Sequence, residues 1–375
     1  MSLKVMTIVG TRPEIIKLSR VIAELDRHTR HVLVHTGQNY DRELSRIFFE
    51  QLEIRKPDYF LKAAKASLAE TIANIISKAD AAMAKEKPGA LLVLGDTNSW
   101  LAAICAKRRK IPIFHMEAGN RCFDERVPEE VNRRIVDHVS DINLPYTEHA
   151  RRHLLNEGIR PETVIKTGSP MREVLDYYEP KIAASDALER YQLKPRGYFL
   201  VSAHREENID SPENLADLLA SLAAIVKRYR KRVIVSTHPR TRNKLATLDR
   251  GALPAKVDFV KPLGFIDYVR LQTSACCVLS DSGTLTEESS LLAFPAVMIR
   301  QAHERPEGMD EGALIMSGLK PQQVLAAIDA TTAHYARHQR PFRIPPDYEV
   351  VNVSRKVVRI ILSYTDYVNR TVWFK

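Results

Sequence analysis

The sequence of 375 residues has little cysteine and no regular cysteine spacing. Its four cysteines are Cys105, Cys122, Cys276 and Cys277; none forms a C-x-x-C pair, and two are adjacent within an apolar run. Disulfide frameworks and zinc sites need regular spacing, whereas this arrangement is typical of reduced core thiols. We therefore expect neither disulfides nor a zinc site.

Long hydrophobic runs and targeting segments are also lacking. No apolar run approaches the roughly 18 to 20 residues that span a bilayer. The N-terminal MSLKVMTIVG leads into a strand without a signal-peptide pattern. These absences predict a soluble, cytoplasmic protein with no membrane partner.

Two further absences narrow the choice of ligand. The glycine-rich G-x-G-x-x-G loop is missing, so we expect no dinucleotide cofactor. The net charge is +10, but the basic residues are scattered and no aromatic-interleaved basic stripe occurs. A small phosphate-bearing substrate is therefore expected, and no nucleic-acid partner.

What the sequence does contain is an alternation of short apolar strands and helices in two halves. The predicted strands of the first half include LKVMTIVG, HVLVHTG, ALLVLGDT and IPIFHME, and those of the second half include YFLVSAH, RVIVSTH, CCVLSDSG and PAVMIR. This alternation predicts α/β architecture with two doubly wound parallel lobes. A polar segment with two prolines follows Met171 and is predicted to connect lobes at 1–171 and 172–355.

The end of the chain has a different pattern. VVNVSRKVVRIILSYTDYV places apolar residues at helical spacing. We expect residues 356–375 to form a helix that packs back on the first lobe.

Three carboxylates follow predicted strands or a proline in the first half. Asp96 comes after LLVLG, Glu117 after IFHM, and Glu129 after Pro128. Ligands of parallel sheets bind at the carboxyl ends of strands, so these side chains are expected to converge on one site. Alternatively, Asp96 caps a helix that begins near Asn98, and Glu129 and Glu130 only complement a helix N-terminus.

The turn after the first strand, VGTRPEIIK, has the features of a sharp helix start. Pro13 suits a first helical turn, and Thr11 with Glu14 has capping-box spacing. Arg12 and Lys17 are then placed to meet an anion, although a plain surface location is the alternative.

The second half offers a histidine and a small-residue turn. His204 and Arg205 end the strand YFLVS, where a histidine can contact a phosphate or move a proton; a structural histidine is the alternative. His238, after the next strand, is a weaker candidate for the same site. The loop that holds His303, Glu304 and Arg305 follows the last strand.

The segment LSDSGTLTEES indicates a nucleotide site. Ser282, Gly283 and Thr284 let backbone N–H groups approach an anion at a helix N-terminus. Glu288 lies one helical turn beyond Thr284, where a carboxylate accepts hydrogen bonds from ribose hydroxyls. A diphosphate beside a ribose describes a nucleotide.

Seven motifs occur in order across nearly the whole chain: VGTRPEIIK, LVLGDT, HMEAG, VPEEVNRR, SAHREEN, SDSGTLTEE and ERPE. This set resembles the non-hydrolysing UDP-N-acetylglucosamine 2-epimerases. The resemblance implies two Rossmann-like lobes of the glycosyltransferase-B type, with a UDP-sugar in the cleft between them. It also implies a homodimer and no cofactor or metal.

The resemblance also implies roles for individual residues. Asp96, Glu117 and Glu129 correspond to the family's acid/base carboxylates. The resemblance implies that His204 is catalytic as well and that, with Arg12 and Lys17, it contacts the phosphates. The implied substrate-binding residues are Arg12, Lys17, Arg205, Ser282, Gly283, Thr284, Glu288 and Arg305. The implied reaction eliminates UDP to a glycal and adds it back.

The chain departs from the best-known members in the stretch HMEAGNRCFDERVPEE, where Val127 and not an aromatic residue directly precedes the proline, and in SDSGT, which lacks a second glycine. By resemblance, the first of these stretches lies beside the sugar. Residues 120–127 are therefore expected to determine which sugar is bound. A modified UDP-sugar of capsule or O-antigen pathways, such as the precursor of UDP-N-acetyl-L-fucosamine, is implied. A retaining glycosyltransferase, a hydrolysing 2-epimerase that releases UDP, and a non-catalytic nucleotide-sugar sensor are the alternatives.

Overall fold

The computed structural model describes residues 2–38, 42–237, 239–245 and 254–375. The chain divides into two compact units: unit 1 is Met1–Tyr177 together with Pro346–Lys375, and unit 2 is Tyr178–Pro345. Across the described ranges, no helix is both long enough and apolar enough to cross a membrane.

Unit 1 is built on a parallel sheet of six strands. Strands β1 to β6 are, in chain order, Lys4–Val9, Arg30–His35, Tyr59–Phe60, Ala90–Leu94, Ile113–Met116 and Ile142–Leu144. Their order across the sheet is β3-β2-β1-β4-β5-β6, which is the order of a Rossmann fold. Parallel sheets are covered by helices on both faces, and β4 is accordingly apolar and buried over its whole length.

The helices of unit 1 connect these strands and flank the sheet. Helices α1 to α6 are Arg12–His28, Arg42–Gln51, Leu68–Glu86, Ala102–Arg108, Pro128–Val139 and Glu148–Asn156. The last helix of the chain, α16, is Val353–Thr371 and lies against α1. Val357 and Ile361 of α16 are completely buried, so this helix is part of the core of unit 1.

Unit 2 repeats the same architecture. Strands β7 to β12 are Tyr198–Ser202, Arg232–Ser236, Val257–Val260, Cys277–Ser280, Ala296–Met298 and Ile315–Met316. The order β12-β11-β10-β7-β8-β9 is again that of a Rossmann fold. Helices α8 to α15 are Ala187–Arg190, Glu206–Ile209, Pro212–Tyr229, Pro239–Leu245, Phe265–Ser274, Thr284–Leu292, Pro306–Asp310 and Pro321–Arg337. The predicted α/β class with two Rossmann-like lobes is confirmed.

The segment after Met171, which was predicted to connect the two lobes, begins with a helix. Helix α7 runs over Met171–Ala183 with Pro180 inside it, and the border between the units falls within this helix. Proline lacks an N–H and disrupts helix interiors. Pro180 lies in the last turn of α7, and the helix ends three residues later.

Each sheet has one point at which the strand order reverses, between β1 and β4 in unit 1 and between β7 and β10 in unit 2. Ligands of open α/β sheets bind outside the carboxyl ends of the strands at such a point. The motifs GTRPE, GDT, AHRE and DSGT follow these four strands. The topology therefore brings the sequence motifs to the two reversal points.

Candidate active site

A buried carboxylate joins the two turns at the reversal point of unit 1. Glu14, in the first turn of α1, accepts hydrogen bonds from the N–H groups of Gly10 (3.0 Å) and Thr11 (2.7 Å) and from the Thr11 hydroxyl (2.7 Å). It also accepts the hydroxyl of Ser99, which follows β4. Burial raises the pKa of Glu14, although these hydrogen bonds act in the opposite direction. The GTRPE and GDT turns are thereby held together.

Lys17 and Glu117 form a close ion pair. Lys17 Nζ lies 2.9 Å from Glu117 Oε1 and 2.8 Å from Oε2, and the lysine side chain is only 3% exposed. Glu117 adopts φ +63°, a left-handed conformation that a non-glycine residue rarely adopts. The plain surface location considered for Lys17 therefore does not apply, because its ammonium group is buried against a carboxylate.

Arg12 lies in the same turn but is only partly buried. Its guanidinium carbon is 5.8 Å from the centroid of the Phe48 ring. The side chain thus packs beside an aromatic face at the carboxyl edge of the sheet.

Asp96 is held by α5. Arg133 Nε donates to Asp96 Oδ2 at 2.7 Å, and the Asn132 amide donates to the backbone carbonyl of Asp96 at 2.9 Å. The short helix that begins at Asn98 has Thr97, not Asp96, at its N-cap. The helix-capping alternative for Asp96 is therefore wrong, and its carboxylate instead pairs with a buried arginine.

The Glu117 carboxylate lies beside the turn that carries Asp96. A Cβ placed on Gly95 would be 3.8 Å from Glu117 Oε2, so the Glu117 carboxylate is next to the residue that precedes Asp96. Glu129 is partly exposed in the first turn of α5, one turn before Arg133. Unit 1 thus gathers Asp96, Glu117 and their cations at one edge of its sheet.

The second glutamate of VPEE has a larger structural role than the sequence indicated. Glu130 is completely buried and accepts hydrogen bonds from the loop before α5. Two consecutive acidic residues after a proline are typical of an exposed first turn, so the pattern alone gave no sign of this burial.

Asp137, a buried aspartate that the sequence did not single out, holds the HMEAG segment in place. Asp137 of α5 accepts the N–H of Gly119 and lies 2.9 Å from His115 Nδ1 and 2.8 Å from the Arg121 guanidinium. His115 Nε2 in turn contacts the Gly95 carbonyl at 2.9 Å. These contacts connect the turns that carry Asp96 and Glu117 to one helix.

In unit 2, His204 is positioned by a buried aspartate. Asp281 Oδ2 accepts the N–H groups of His204 (2.9 Å) and Arg205 (3.0 Å), and Oδ1 lies 3.0 Å from His204 Nδ1. Burial would raise the pKa of Asp281, but His204 and these hydrogen bonds outweigh it and hold that pKa well below its usual value. The imidazole itself remains partly exposed at the carboxyl end of β7.

The turn after β10 precedes a helix N-terminus. Gly283 is the N-cap of α13, and the hydroxyls of Ser282 and Thr284 are 3.0 Å apart. Glu288 is only 7% exposed and accepts a hydrogen bond from Gln272 at 2.6 Å. The structure therefore places Glu288 one turn into α13 with one oxygen already bonded.

The loop after β11 contributes a buried arginine. Arg305 is 2% exposed, and its guanidinium lies 3.5 Å from Glu287 of α13. Glu304 pairs with Arg300 at 2.9 Å and with Arg205 at 3.4 Å. Burial lowers the pKa of His303. His238, the weaker candidate, lies outside the described residues.

No group of three or more histidine, cysteine, aspartate or glutamate side chains suited to a metal ion occurs among the residues with described positions.

Comparisons with known proteins point to one family. Residues 23–362 match the family described as UDP-N-acetylglucosamine 2-epimerase. The structure of UDP-N-acetylglucosamine 2-epimerase from Rickettsia bellii is 55% identical, covers 100% of both chains and has a TM-score of 0.93. That of Methanocaldococcus jannaschii UDP-GlcNAc 2-epimerase, in complex with UDP-GlcNAc and UDP, is 30% identical with a TM-score of 0.89. It covers 96% of this chain and 100% of its own.

Two curated relatives differ in their named sugar. The UDP-N-acetylglucosamine 2-epimerase of Methanococcus maripaludis is 35% identical over 90% of this chain and 94% of its own. The UDP-2,3-diacetamido-2,3-dideoxy-D-glucuronate 2-epimerase of Pseudomonas aeruginosa is 35% identical over 84% of this chain and 88% of its own. A glycosyltransferase from Rickettsia africae, 12% identical with a TM-score of 0.57 and 99% coverage of both chains, shares the fold alone.

Proposed function

The chain belongs to the non-hydrolysing UDP-N-acetylglucosamine 2-epimerases, isomerases with a glycosyltransferase-B type fold, and we propose that it inverts carbon 2 of a UDP-2-acetamido sugar. The chemical difficulty is that the carbon-2 hydrogen is not adjacent to a carbonyl and is barely acidic. In the proposed reaction a base takes this proton while the bond from carbon 1 to the diphosphate oxygen breaks. The products are a glycal and UDP. A proton then adds to the opposite face of carbon 2, and UDP returns to carbon 1.

The acid/base work is assigned to Asp96, Glu117 and Glu129. The observation that carries this assignment is the pair of neighbouring carboxylates, Asp96 and Glu117, each held by a buried cation at the reversal point of the unit 1 sheet. A general base accepts a proton, and an acidic side chain does so in its carboxylate form. Glu129, in the first turn of α5, is the third candidate, and it would deliver a proton to the other face of carbon 2.

Departure of UDP requires stabilisation of the charge on its diphosphate. We assign this to Arg12, Lys17 and His204. The Asp281 contacts that orient His204 support its part in this assignment. Arg205, Arg305 and the residues from Ser282 to Thr284 are assigned to the nucleotide. Glu288 is assigned to the ribose.

The substrate is proposed to be UDP-N-acetylglucosamine, as named for most relatives. A modified UDP-sugar from capsule or O-antigen biosynthesis is the second candidate. The sequence of residues 120–127 supports this second candidate, as does the similarity to the Pseudomonas aeruginosa enzyme. We further propose that the enzyme is a homodimer.

Exchange at carbon 2 tests the proposal. The protein is incubated in D₂O with UDP-N-acetylglucosamine or a modified UDP-2-acetamido sugar, and carbon 2 is followed by NMR. We expect deuterium at carbon 2 together with the 2-epimer, and no exchange with UDP-glucose, which lacks the acetamido group. A retaining glycosyltransferase or a sugar sensor would give no exchange. Stoichiometric release of UDP with free N-acetylmannosamine would instead indicate a hydrolysing enzyme.

A further inference from the structure

The loop of residues 120–127, between Glu117 and α5, is fastened by one buried carboxylate. Glu130 Oε2 accepts the N–H of Cys122 at 2.9 Å and its thiol at 3.3 Å, and Oε1 accepts the N–H of Phe123 at 3.3 Å. The Glu130 side chain is completely buried. A glutamate that only complements the N-terminal end of a helix needs none of these contacts.

Two arginines supply the countercharge. Arg133 lies 3.0 Å from Glu130 Oε2, and Arg134 lies 3.4 Å from Oε1. Burial would raise the pKa of Glu130, but the Cys122 hydrogen bonds and Arg133 hold it below its usual value. Arg133 is also the partner of Asp96 at 2.7 Å. The Arg133 guanidinium therefore links Glu130, which holds the loop, to Asp96, a proposed catalytic carboxylate.

The fastened segment holds an unusual residue. Phe123 has φ +55° and is 68% exposed, and its ring lies edge-on to that of His153 with 5.5 Å between the ring centroids. A left-handed backbone and an exposed apolar ring are each unfavourable for phenylalanine. They persist where surrounding contacts hold the backbone, and such strained residues cluster at ligand sites.

The start of the loop is held separately. Arg121 is 2% exposed and pairs with Asp137 at 2.8 Å and Glu157 at 2.5 Å. Arg121 and Glu130 thus hold the backbone from residue 121 to the N–H of Phe123. The Phe123 ring extends from the end of this held segment.

We propose that Glu130 is a positioning residue for the epimerisation: it holds the Cys122–Phe123 backbone so that the Phe123 ring bears on the substrate sugar and contributes to its selection. This inference rests on the proposed function. It assigns Glu130 no contact with the substrate, and its effect on the sugar passes through the loop.

The thiol of Cys122 is a built-in reporter of this arrangement. Burial and the Glu130 carboxylate raise the pKa of the Cys122 thiol, which slows its alkylation because the thiolate is the nucleophile. The other cysteines serve as internal standards, since Cys105 and Cys277 are buried and Cys276 is partly exposed in unit 2.

The experiment compares the intact wild-type protein with Glu130→Gln and with a matched control, Glu162→Gln. Glu162 lies outside residues 120–127, is 51% exposed and pairs with Arg160 at 3.4 Å. Iodoacetamide labelling of each cysteine is followed by mass spectrometry. Turnover and KM are measured for UDP-N-acetylglucosamine and one modified UDP-2-acetamido sugar.

In Glu130→Gln we expect Cys122 to be alkylated severalfold faster, because the Glu130 carboxylate no longer raises the pKa of its thiol. We expect kcat to fall by up to about 10²-fold, as for a displaced reacting group, with KM little changed. The preference between the two sugars should shift in Glu130→Gln and in Phe123→Ala, while Glu162→Gln behaves as wild type.

Three results would overturn the proposal. The first is an unchanged Cys122 rate in Glu130→Gln, and the second is a faster Cys122 with unchanged turnover and sugar preference. The third is an equal acceleration at all four cysteines, which means that Glu130 only maintains the fold. Failure of the proposed function is distinguishable: the wild type then shows no carbon-2 exchange, whereas the labelling still reports on the loop.

Discussion

The carboxylates of unit 1 acquire their partners from distant parts of the chain. Glu117 is bonded by Lys17, 100 residues away, and Asp96 by Arg133, 37 residues away. Their positions after apolar strands are visible in the sequence, because strand length and polarity are local properties. Their cations are not visible, because a lysine or arginine elsewhere in a sequence is most often at the surface.

Removing the proposed acid/base groups one at a time tests their role. Asp96→Asn, Glu117→Gln and Glu129→Gln should each fold and lose about 10² to 10⁴ in turnover, the usual contribution of a general acid or base. Carbon-2 exchange in D₂O measures the loss. Asp80→Asn, at a 43% exposed surface pair with Arg109, is the control and should keep full activity. Near-normal turnover in all three variants would contradict the assignment.

The pairing of Asp281 with His204 predicts a pH-dependent stability. The pKa of Asp281 is lowered in the folded protein, so its contribution is present above the unfolded value of about 3.9 and is lost as the pH falls through the folded value. Asp281→Asn should therefore lower the free energy of unfolding by about 1 to 3 kcal/mol at pH 7, because buried N–H donors lose a charged acceptor.

Denaturant unfolding of wild type and Asp281→Asn at pH 7 and near pH 3 measures this difference, which should shrink at the lower pH. Asp258→Asn is the control, since Asp258 and its partner Arg232 are each 41% exposed. Such a surface pair contributes below about 1 kcal/mol. An equal loss for Asp281→Asn at both pH values would argue against an ionised Asp281 in the pair.

At the scale of elements, the turn after β5 depends on a glycine for two reasons. Gly119 has φ +80°, and a Cβ there would lie 2.3 Å from the Ala150 carbonyl oxygen of α6. Gly158 has nearly the same backbone, φ +84°, but a Cβ there would meet nothing within 4 Å. Substitutions at these two glycines therefore distinguish the free-energy cost of a left-handed backbone from that of a close contact.

Alanine at these two positions should therefore have unequal effects. Gly158→Ala should cost about 1 to 2 kcal/mol, the usual penalty of a left-handed backbone. Gly119→Ala should cost clearly more, because α6 must move, and should also reduce turnover since Glu117 is two residues away. Thermal unfolding and the exchange assay measure both effects. Equal destabilisation by the two substitutions would show that the Ala150 contact is readily relieved.

The shortest elements were the hardest to anticipate. Strands β3 and β12 have only two residues each, Tyr59–Phe60 and Ile315–Met316, and both are edge strands. Two residues cannot display a period of two, so no local pattern marks them. They form because a neighbouring strand offers free hydrogen-bonding groups at the sheet edge.

At the scale of the whole molecule, the two units differ in how they are assembled from the chain. Unit 2 is continuous, whereas unit 1 takes its last helix from Pro346–Lys375. Helix α16 lies against α1 and buries Ile361 completely, while the next residue, Leu362, is 44% exposed. The stability of unit 1 therefore depends on the end of the chain.

Two neighbouring substitutions test this dependence. Ile361→Ala should lower the free energy of unfolding by about 2 to 5 kcal/mol, the range for a large aliphatic side chain removed from a core. Leu362→Ala, on the solvent side of the same helix, should change it by less than about 1 kcal/mol, as surface substitutions do. Denaturant unfolding gives both values. Similar losses for the two variants would mean that α16 does not dock through the face of Ile361.

The sequence by itself determined the α/β class, the alternation of strands and helices, and the motifs after β1, β4, β7 and β10. Periodicity, strand length and turn residues are local, and a reversal in strand order brings such motifs to one edge of a sheet. Only the tertiary structure decided that Lys17 bonds Glu117, that Arg133 joins Asp96 to Glu130, and that Glu130 is buried. These pairings depend on which helix packs beside which turn, and that choice is made by contacts between residues far apart in the chain.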